Sequence, residues 1–89
     1  MPNFVYIIYS ERLNFYYKGS TSDVLRRLLD HNSGRNKSTA NKGPWKLVFV
    51  RSFPTQAEAL LEEKRLKRTN TRYLKWLIDQ DINEVNSFI

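Results

Sequence analysis

Cysteine is absent from the 89 residues. That excludes a disulfide framework, a zinc-thiolate site and a cysteine nucleophile. There is one histidine, His31, so a multi-histidine metal cage is excluded as well. The longest apolar run, Phe4 to Tyr9, falls far short of the ~20 residues that span a bilayer. No charged-then-apolar leader pattern opens the chain. The expectation is a cytoplasmic protein without a membrane partner. Acidic residues are the minority charge: Asp+Glu number 9 against 15 Lys+Arg, a formal net charge of +6. A small domain this basic suits a polyanionic partner, nucleic acid or an acidic membrane surface. Hydrophobic residues at 40% and charged residues at 27% fit a globular chain and not a disordered one, and the length fits a single domain.

Phe4-Val5-Tyr6-Ile7-Ile8-Tyr9 reads as a strand buried on both faces. A polar connection, Ser10 to Asn14, leads to a second strand over Phe15 to Gly19, and its shortness favours an antiparallel hairpin. Gly19 lets the chain turn out of the sheet or lets another group approach its backbone. Ser22 is the expected cap of a first helix, with Asp23 in its first turn. Val24, Leu25, Leu28 and Leu29 supply that helix's apolar stripe, and Gly34 ends it. A polar loop of about ten residues, 35–44, is long enough to suggest a functional segment. Trp45 to Val50 is a third strand. Thr55 and Glu58 form a capping box for a second helix with Ala57, Leu60, Leu61 and Leu66 as its apolar positions. Thr71 opens a third helix with Tyr73, Leu74, Leu77 and Ile78 on its inner face. The expected architecture is α+β: a three-stranded antiparallel sheet flanked by three helices, in the order β-β-α-β-α-α. Residues 1–79 form the domain, and 80–89 a tail that is weakly ordered or packed back.

Four groups of residues can carry chemistry. Tyr6 and Tyr17 lie on paired strands, either as core aromatics or as two phenols lining a cleft. Arg27 and His31 are four apart and share one face of the first helix, either as a solvated face or as a phosphate-binding fork beside a proton carrier. Arg26 points about 100° away from Arg27. Glu62 and Glu63 sit among Lys64, Arg65, Lys67 and Arg68, and Glu63 borders the apolar positions Leu60 and Leu66. It forms either an ion pair with Lys67 or the single carboxylate of a Mg²⁺ site. The bases Arg35, Lys37, Lys42 and Lys46 of the loop and third strand, with Lys64 to Lys75, can line a nucleic-acid groove or form a solvated face. No P-loop, Gly-x-Ser-x-Gly elbow or zinc-finger spacing is present.

Together these stretches resemble the GIY-YIG nuclease superfamily, in its small stand-alone, YhbQ/YazA-like members. The resemblance extends to the N-terminal domain of excision-repair nucleases. Phe4-Val5-Tyr6 stands in the place of Gly-Ile-Tyr, and Tyr17-Lys18-Gly19 in the place of Tyr-Ile-Gly. Ser20 to Leu28 is similar to the stretch that leads to the family's essential arginine, by position Arg27. His31-Asn32-Ser33-Gly34 resembles the end of the same helix, Pro44 to Val48 the third strand, and Ala59 to Lys67 the helix with the metal-binding glutamate, by spacing Glu63.

The resemblance covers roughly residues 3–78 and implies a metal-dependent endonuclease of nucleic-acid phosphodiesters, most of all DNA, in repair or structure-selective processing. It implies one divalent ion, Mg²⁺ or Mn²⁺, on Glu63. Tyr6 orients or deprotonates the attacking water, Tyr17 binds a phosphate oxygen or the water, and Arg27 stabilises charge on the phosphate. His31 takes the tyrosine's proton or donates to phosphate. Lys18, Arg26, Arg35, Lys37, Lys42, Lys64, Lys67 and Arg68 are the expected contacts to nucleic acid, with a monomer assumed. The other reading is a nucleic-acid-binding module that keeps the fold without turnover.

Overall fold

β1 (Asn3–Ser10) runs down the middle of a three-stranded antiparallel sheet, between β2 (Phe15–Thr21) and β3 (Trp45–Phe53). A computed structural model describes residues 2–89; residue 1, the first of the expected 1–79 unit, lies outside the described residues. Around the sheet are α1 (Val24–Asn32), α2 (Gln56–Leu66), α3 (Thr71–Ile78) and a single 3₁₀ turn at Val85–Ser87. The expected class and element order are those observed.

The continuous apolar run of β1 follows from its central place, since both of its faces are covered. Alternation sends Val5 and Ile7 into a layer with Phe49, Ala59, Leu66, Leu74 and Leu77. Tyr6 and Ile8 go to the opposite layer, with Val24, Trp45, Leu47 and Val50. The first layer lies under α2 and α3, and the second lies under α1. Pairing places Tyr6 across from Gly19 and Ile8 across from Tyr17 on β2, with a register shift against β3 between Ile7 and Ile8.

Helix ends depart slightly from expectation. Asp23, not Ser22, caps α1, accepting a hydrogen bond from the Arg26 amide at 3.2 Å. Asn70, not Thr71, caps α3 and accepts from the Tyr73 amide at 2.9 Å. In both places an Asx side chain one residue away reaches the free amide better than the hydroxyl does. Gly34 follows α1 at φ 80°, the left-handed conformation that suits glycine. Thr55 caps α2 as expected, accepting from the Glu58 amide at 3.2 Å.

The larger departure concerns which faces of α1 and α2 look inward. The buried and half-buried positions of α1 are Val24, Arg27, Leu28, Asp30 and His31, while Leu29 is 59% exposed and Leu25 also faces solvent. Those of α2 are Ala59, Glu62, Glu63 and Leu66, while Leu61 is 67% exposed and Ala57 and Leu60 are exposed too. Positions 59, 62, 63 and 66 keep a helical period, so the stripe is regular and its middle is acidic. The leucines expected in the core lie beside that stripe. In α3, by contrast, Tyr73, Leu74, Leu77 and Ile78 are the inward residues, as their spacing implies.

The residues after α3 lie along β3, whose outer edge would otherwise present unpaired backbone groups. The Asn83 amide accepts from Val50 N at 3.1 Å and donates to Val48 O at 2.9 Å. The Glu84 amide donates to Val50 O at 2.7 Å, and its carboxylate accepts from the Ser52 amide at 2.7 Å. Phe88 closes on Phe4 edge to face, with ring centroids 5.5 Å apart. The tail thus pairs one sheet edge, and β2 remains the other.

The inward stripe of α2 separates two leucines by their expected cost. Leu66→Ala should destabilise the protein by about 2–5 kcal/mol, and Leu61→Ala by about 0.5 kcal/mol or less, in urea denaturation. Equal costs would contradict the orientation of α2.

Candidate active site

Tyr6 sits 2% exposed in the layer beneath α1, with its phenol directly over Gly19 of β2. A Cβ built on Gly19 would lie 2.5 Å from Tyr6 Oη and 2.6 Å from Cζ. No side chain can share that position without moving the ring, which is the close approach that glycine permits. Tyr6 Oη lies 2.7 Å from His31 Nε2. His31 Nδ1 in turn lies 2.7 Å from Thr39 Oγ1. His31 is 2% and Thr39 1% exposed, so the three polar groups form a buried chain from the central strand through α1 to the 35–44 loop. The half-buried Tyr17 ring stands edge-on to the His31 ring at 5.0 Å, and Trp45 closes the other side of Tyr17 at 6.3 Å.

Arg27 stands at the mouth of this chain. Its side chain is half-buried, hydrogen-bonds toward the Tyr6 phenol and makes a long contact with Asp30, at 3.9 Å. Asp30 also meets Arg26 at 3.6 Å and Arg35 at 3.5 Å, so one carboxylate gathers three guanidinium groups.

Glu63 arrives from the layer on the other side of the sheet. Its Oε1 accepts from Ser20 Oγ at 2.6 Å, and its Oε2 meets Lys67 Nζ at 2.7 Å. Ser20 is one residue beyond Gly19 and points, by strand alternation, toward α2. The site therefore wraps the β2 edge, with phenols, imidazole and guanidinium on one side and the carboxylate on the other. The two sides share an electrostatic field: Glu63 and Tyr17 both push the Tyr6 phenol up. Glu62, the neighbouring acid, is fully engaged elsewhere, accepting from Arg65 Nε and Nη2 at 2.7 Å each.

Protonation states follow from burial. Burial pushes the Tyr6 phenol up to about 12, against the pull of the Arg27 guanidinium, which lowers it. Burial pushes His31 down to about 4, and the Arg27 charge adds to the effect. At neutral pH the pair is a protonated phenol and a neutral imidazole, with one proton between oxygen and nitrogen. Burial raises Glu63, but hydrogen bonds from Lys67 and Ser20 outweigh it, and the carboxyl stays below its usual range. The bond to Glu63 holds Lys67 above the ordinary lysine value. Burial, and then Lys67, pull Lys18 below it.

The site residues named from the sequence are distributed unevenly. Tyr6, Tyr17, Arg27 and His31 share one cluster, and Glu63 is joined to it through the field across the β2 edge. Lys67 and Lys18 lie close enough to that carboxylate's side of the edge to feel each other. Arg26 and Arg35 meet on Asp30, near Arg27. Lys37 is exposed in the loop, and Lys42 donates to Ser38 O at 2.9 Å. Lys64 and Arg68 lie with Arg65 along a shallow cleft beside Leu61, away from the phenols. Ser20 and Thr39 escaped notice in the sequence. Ser20 is one of three hydroxyl residues in a row, and Thr39 is one polar residue in a polar loop, so nothing local marks either.

A hard divalent cation fits the donor set on chemical grounds. Mg²⁺ takes one or two carboxylates and retains water, and Glu63 offers an ionised carboxylate whose second oxygen already holds a cation, the Lys67 ammonium. Among the described residues no three His, Asp, Glu or Cys side chains cluster as a metal cage. A site here would be built on Glu63 with water and phosphate oxygens.

Because His31 is depressed in the folded state, the unfolded chain binds more protons between pH 6.5 and 4. Stability should fall over that window as pH drops, by roughly 1–3 kcal/mol, read by urea denaturation at successive pH values. His31→Gln should flatten the slope. Gly19→Ala should cost about 1–3 kcal/mol through displacement of the Tyr6 ring, by the same assay.

Comparison with known proteins bears on the family and the fold. A family model described as the GIY-YIG catalytic domain matches residues 2–75. A UPF0213 protein from Halalkalibacterium halodurans, BH0048, is 35% identical over 79 residues, covering 88% of this chain and 83% of that protein. A UPF0213 protein from Listeria monocytogenes is 44% identical over 61 residues, covering 64% and 68%. The solution NMR structure of BH0048, from Bacillus halodurans, superposes with a TM-score of 0.59 at 31% identity, covering 99% of this chain and 94% of that one. With a match across most of its length and a relative of this similarity, the chain belongs to the GIY-YIG catalytic domain family.

Proposed function

We propose that the protein is a metal-dependent endonuclease that hydrolyses nucleic-acid phosphodiesters, DNA most of all, in repair or in processing of branched structures. The observation that carries this is the buried Tyr6–His31 contact with Arg27 beside it and Glu63 across the β2 edge. Family membership supports nuclease-type chemistry. The excess of basic residues supports a polyanionic substrate.

Each side chain has a role that its surroundings favour. Arg27 keeps only a long contact with Asp30 beside its hydrogen bond toward the Tyr6 phenol, so part of its planar fork remains for phosphate oxygens and for the charge that grows on them during attack. The Tyr6 oxygen keeps a lone pair for the attacking water while its own proton faces His31. As the water oxygen bonds to phosphorus, a water proton passes to Tyr6 Oη and the phenol proton passes to His31 Nε2. The P–O bond opposite then breaks, and the departing oxygen takes a proton from solvent. Burial is the main cause of the depressed His31, and phosphate held by Arg27 offsets the part that the Arg27 charge adds, which favours its receipt of the proton. Tyr17, half-buried and packed on the His31 ring, presents its hydroxyl to a phosphate oxygen or the water. Glu63 would hold the divalent ion, which when bound neutralises phosphate charge and assists the leaving oxygen. Lys67, Lys18, Arg26 and Arg35 flank these groups and contact the backbone of the nucleic acid. Lys37, Lys42, Lys64 and Arg68 extend that contact.

A second reading has one specific observation in its favour. The Lys67 ammonium already neutralises Glu63, as in a module that binds nucleic acid without cutting it.

The deciding measurement is a cleavage assay on branched, single-stranded and double-stranded DNA and on RNA, with Mg²⁺ or Mn²⁺ and then with chelator. Cutting should require the ion, and Arg27→Ala should lower kcat by about 10²–10³. Glu63→Ala should abolish cutting with the fold retained. Undiminished cutting by Glu63→Ala would remove the metal assignment. Binding with steep salt dependence but no cutting of any substrate would establish the second reading.

A further inference from the structure

The 35–44 loop is polar and low in apolar content, yet its Thr39 side chain is fully buried against the Tyr6–His31 cluster. Thr39 Oγ1 lies 2.7 Å from His31 Nδ1 and 3.4 Å from the Asn36 carbonyl oxygen, to which it donates. A threonine hydroxyl has one proton to give. Spent on the Asn36 carbonyl, it leaves Thr39 Oγ1 as an acceptor toward the imidazole. Nδ1 then carries the ring proton, and Nε2 presents a lone pair to Tyr6 Oη, 2.7 Å away. The opposite tautomer would place a proton on Nε2, aim it at the phenol oxygen, and close the path by which the phenol proton leaves.

The loop holds Thr39 firmly enough for this. Its amide donates to Asn36 O at 3.2 Å. Its carbonyl accepts from Lys42 N at 3.2 Å and from the Trp45 indole Nε1 at 3.2 Å. The loop is also tied to the first hairpin, by Ser10 Oγ donating to Lys42 O, by Arg12 Nε donating to Gly43 O at 3.1 Å, and by Arg12 Nη2 donating to Asn41 O. The position of the Thr39 hydroxyl is thus set by the sheet and Trp45 as well as by its own turn.

From this geometry we infer that Thr39 is the positioning residue of the site, holding His31 in the Nδ1-protonated tautomer so that Nε2 accepts the Tyr6 proton. The catalytic use of that proton path rests on the proposed function. The tautomer itself does not.

Thr39 touches neither substrate nor the reacting atoms, so its test reads the imidazole directly. The chain has a single histidine, and its two ring nitrogens give unambiguous ¹⁵N NMR signals in the labelled full-length protein near pH 7. The wild-type spectrum should show a protonated Nδ1 and an unprotonated Nε2. Thr39→Val keeps the shape and removes the acceptor, so the ring proton should move to Nε2 or divide between the two nitrogens. Thr39→Ser should restore the wild-type pattern. On a cleaved substrate, Thr39→Val should lower kcat at least tenfold with KM unchanged, and Thr39→Ser should recover it. A wild-type His31 protonated at Nε2, or a Thr39→Val ring that keeps the wild-type pattern, would overturn the assignment. If Thr39→Val does not fold, the wild-type and Thr39→Ser spectra still decide between the tautomers. A protein that shows the expected tautomers but cuts no nucleic acid would leave Thr39's role standing and remove the nuclease reading alone.

Discussion

A phenol hydroxyl buried among Ile8, Val24, Trp45 and Leu47 must find a hydrogen-bond partner, because leaving it unpaired in an apolar layer costs on the order of 1–3 kcal/mol. Tyr6 meets that requirement through His31, and His31 meets its own through Thr39. Around this chain the fold is closely constrained. Gly19 has no side chain because the Tyr6 ring occupies the space. α1 turns His31 and Arg27 inward and leaves Leu25 and Leu29 to solvent. The 35–44 loop is fastened to the hairpin and to Trp45, which sets the far end of the chain. The contacts that satisfy the polar groups of the core are the same ones that the proposed proton path would use.

The sheet divides the remaining work between its two faces. The layer under α2 and α3 is the drier one, built from Val5, Ile7, Phe49, Leu66, Leu74 and Leu77. It gives α2 a firm seat. From that seat Glu63 reaches the β2 edge, where Ser20 takes one carboxylate oxygen and Lys67 the other. β3 cannot serve as the open edge, because Asn83 and Glu84 occupy its backbone groups. Of the two edges, the β2 side is the one where groups from both faces come together.

Electrostatics at that rim is balanced. Asp30 draws Arg26, Arg27 and Arg35 together without holding Arg27 closely. Glu63 and Lys67 neutralise each other. The buried pair stays uncharged, with the phenol pushed up and the imidazole pushed down. Charge is thus concentrated on the more exposed groups, and kept off the buried phenol and imidazole.

Much of this was open to inspection in the chain alone. The two-sided burial of β1, the hairpin, the capping of α2 and the inner face of α3 all follow from local pattern, since each depends on neighbours within a few residues. The pairings Glu62–Arg65 and Glu63–Lys67 follow from helical spacing. The orientation of α1 and α2 does not. A periodic set of leucines reads as a core face, yet the sheet received the polar stripes beside them, because Arg27, His31 and Glu63 have partners there that the sequence does not place nearby. Residues of one type were also indistinguishable by local context: Thr39 among the polar residues of its loop, Ser20 among its hydroxyl neighbours. Composition and spacing by themselves determined the fold class, and the order of the motifs carried the resemblance that pointed to the family and to the candidate side chains, because those rest on local periodicity and on motif order. Tertiary structure alone decided that His31 is shared between Tyr6 and Thr39 and that Glu63 approaches from the far side of the sheet. The reason is physical: those contacts join residues 25, 8 and 43 positions apart, and only the closing of the sheet and its two layers brings them within hydrogen-bond reach.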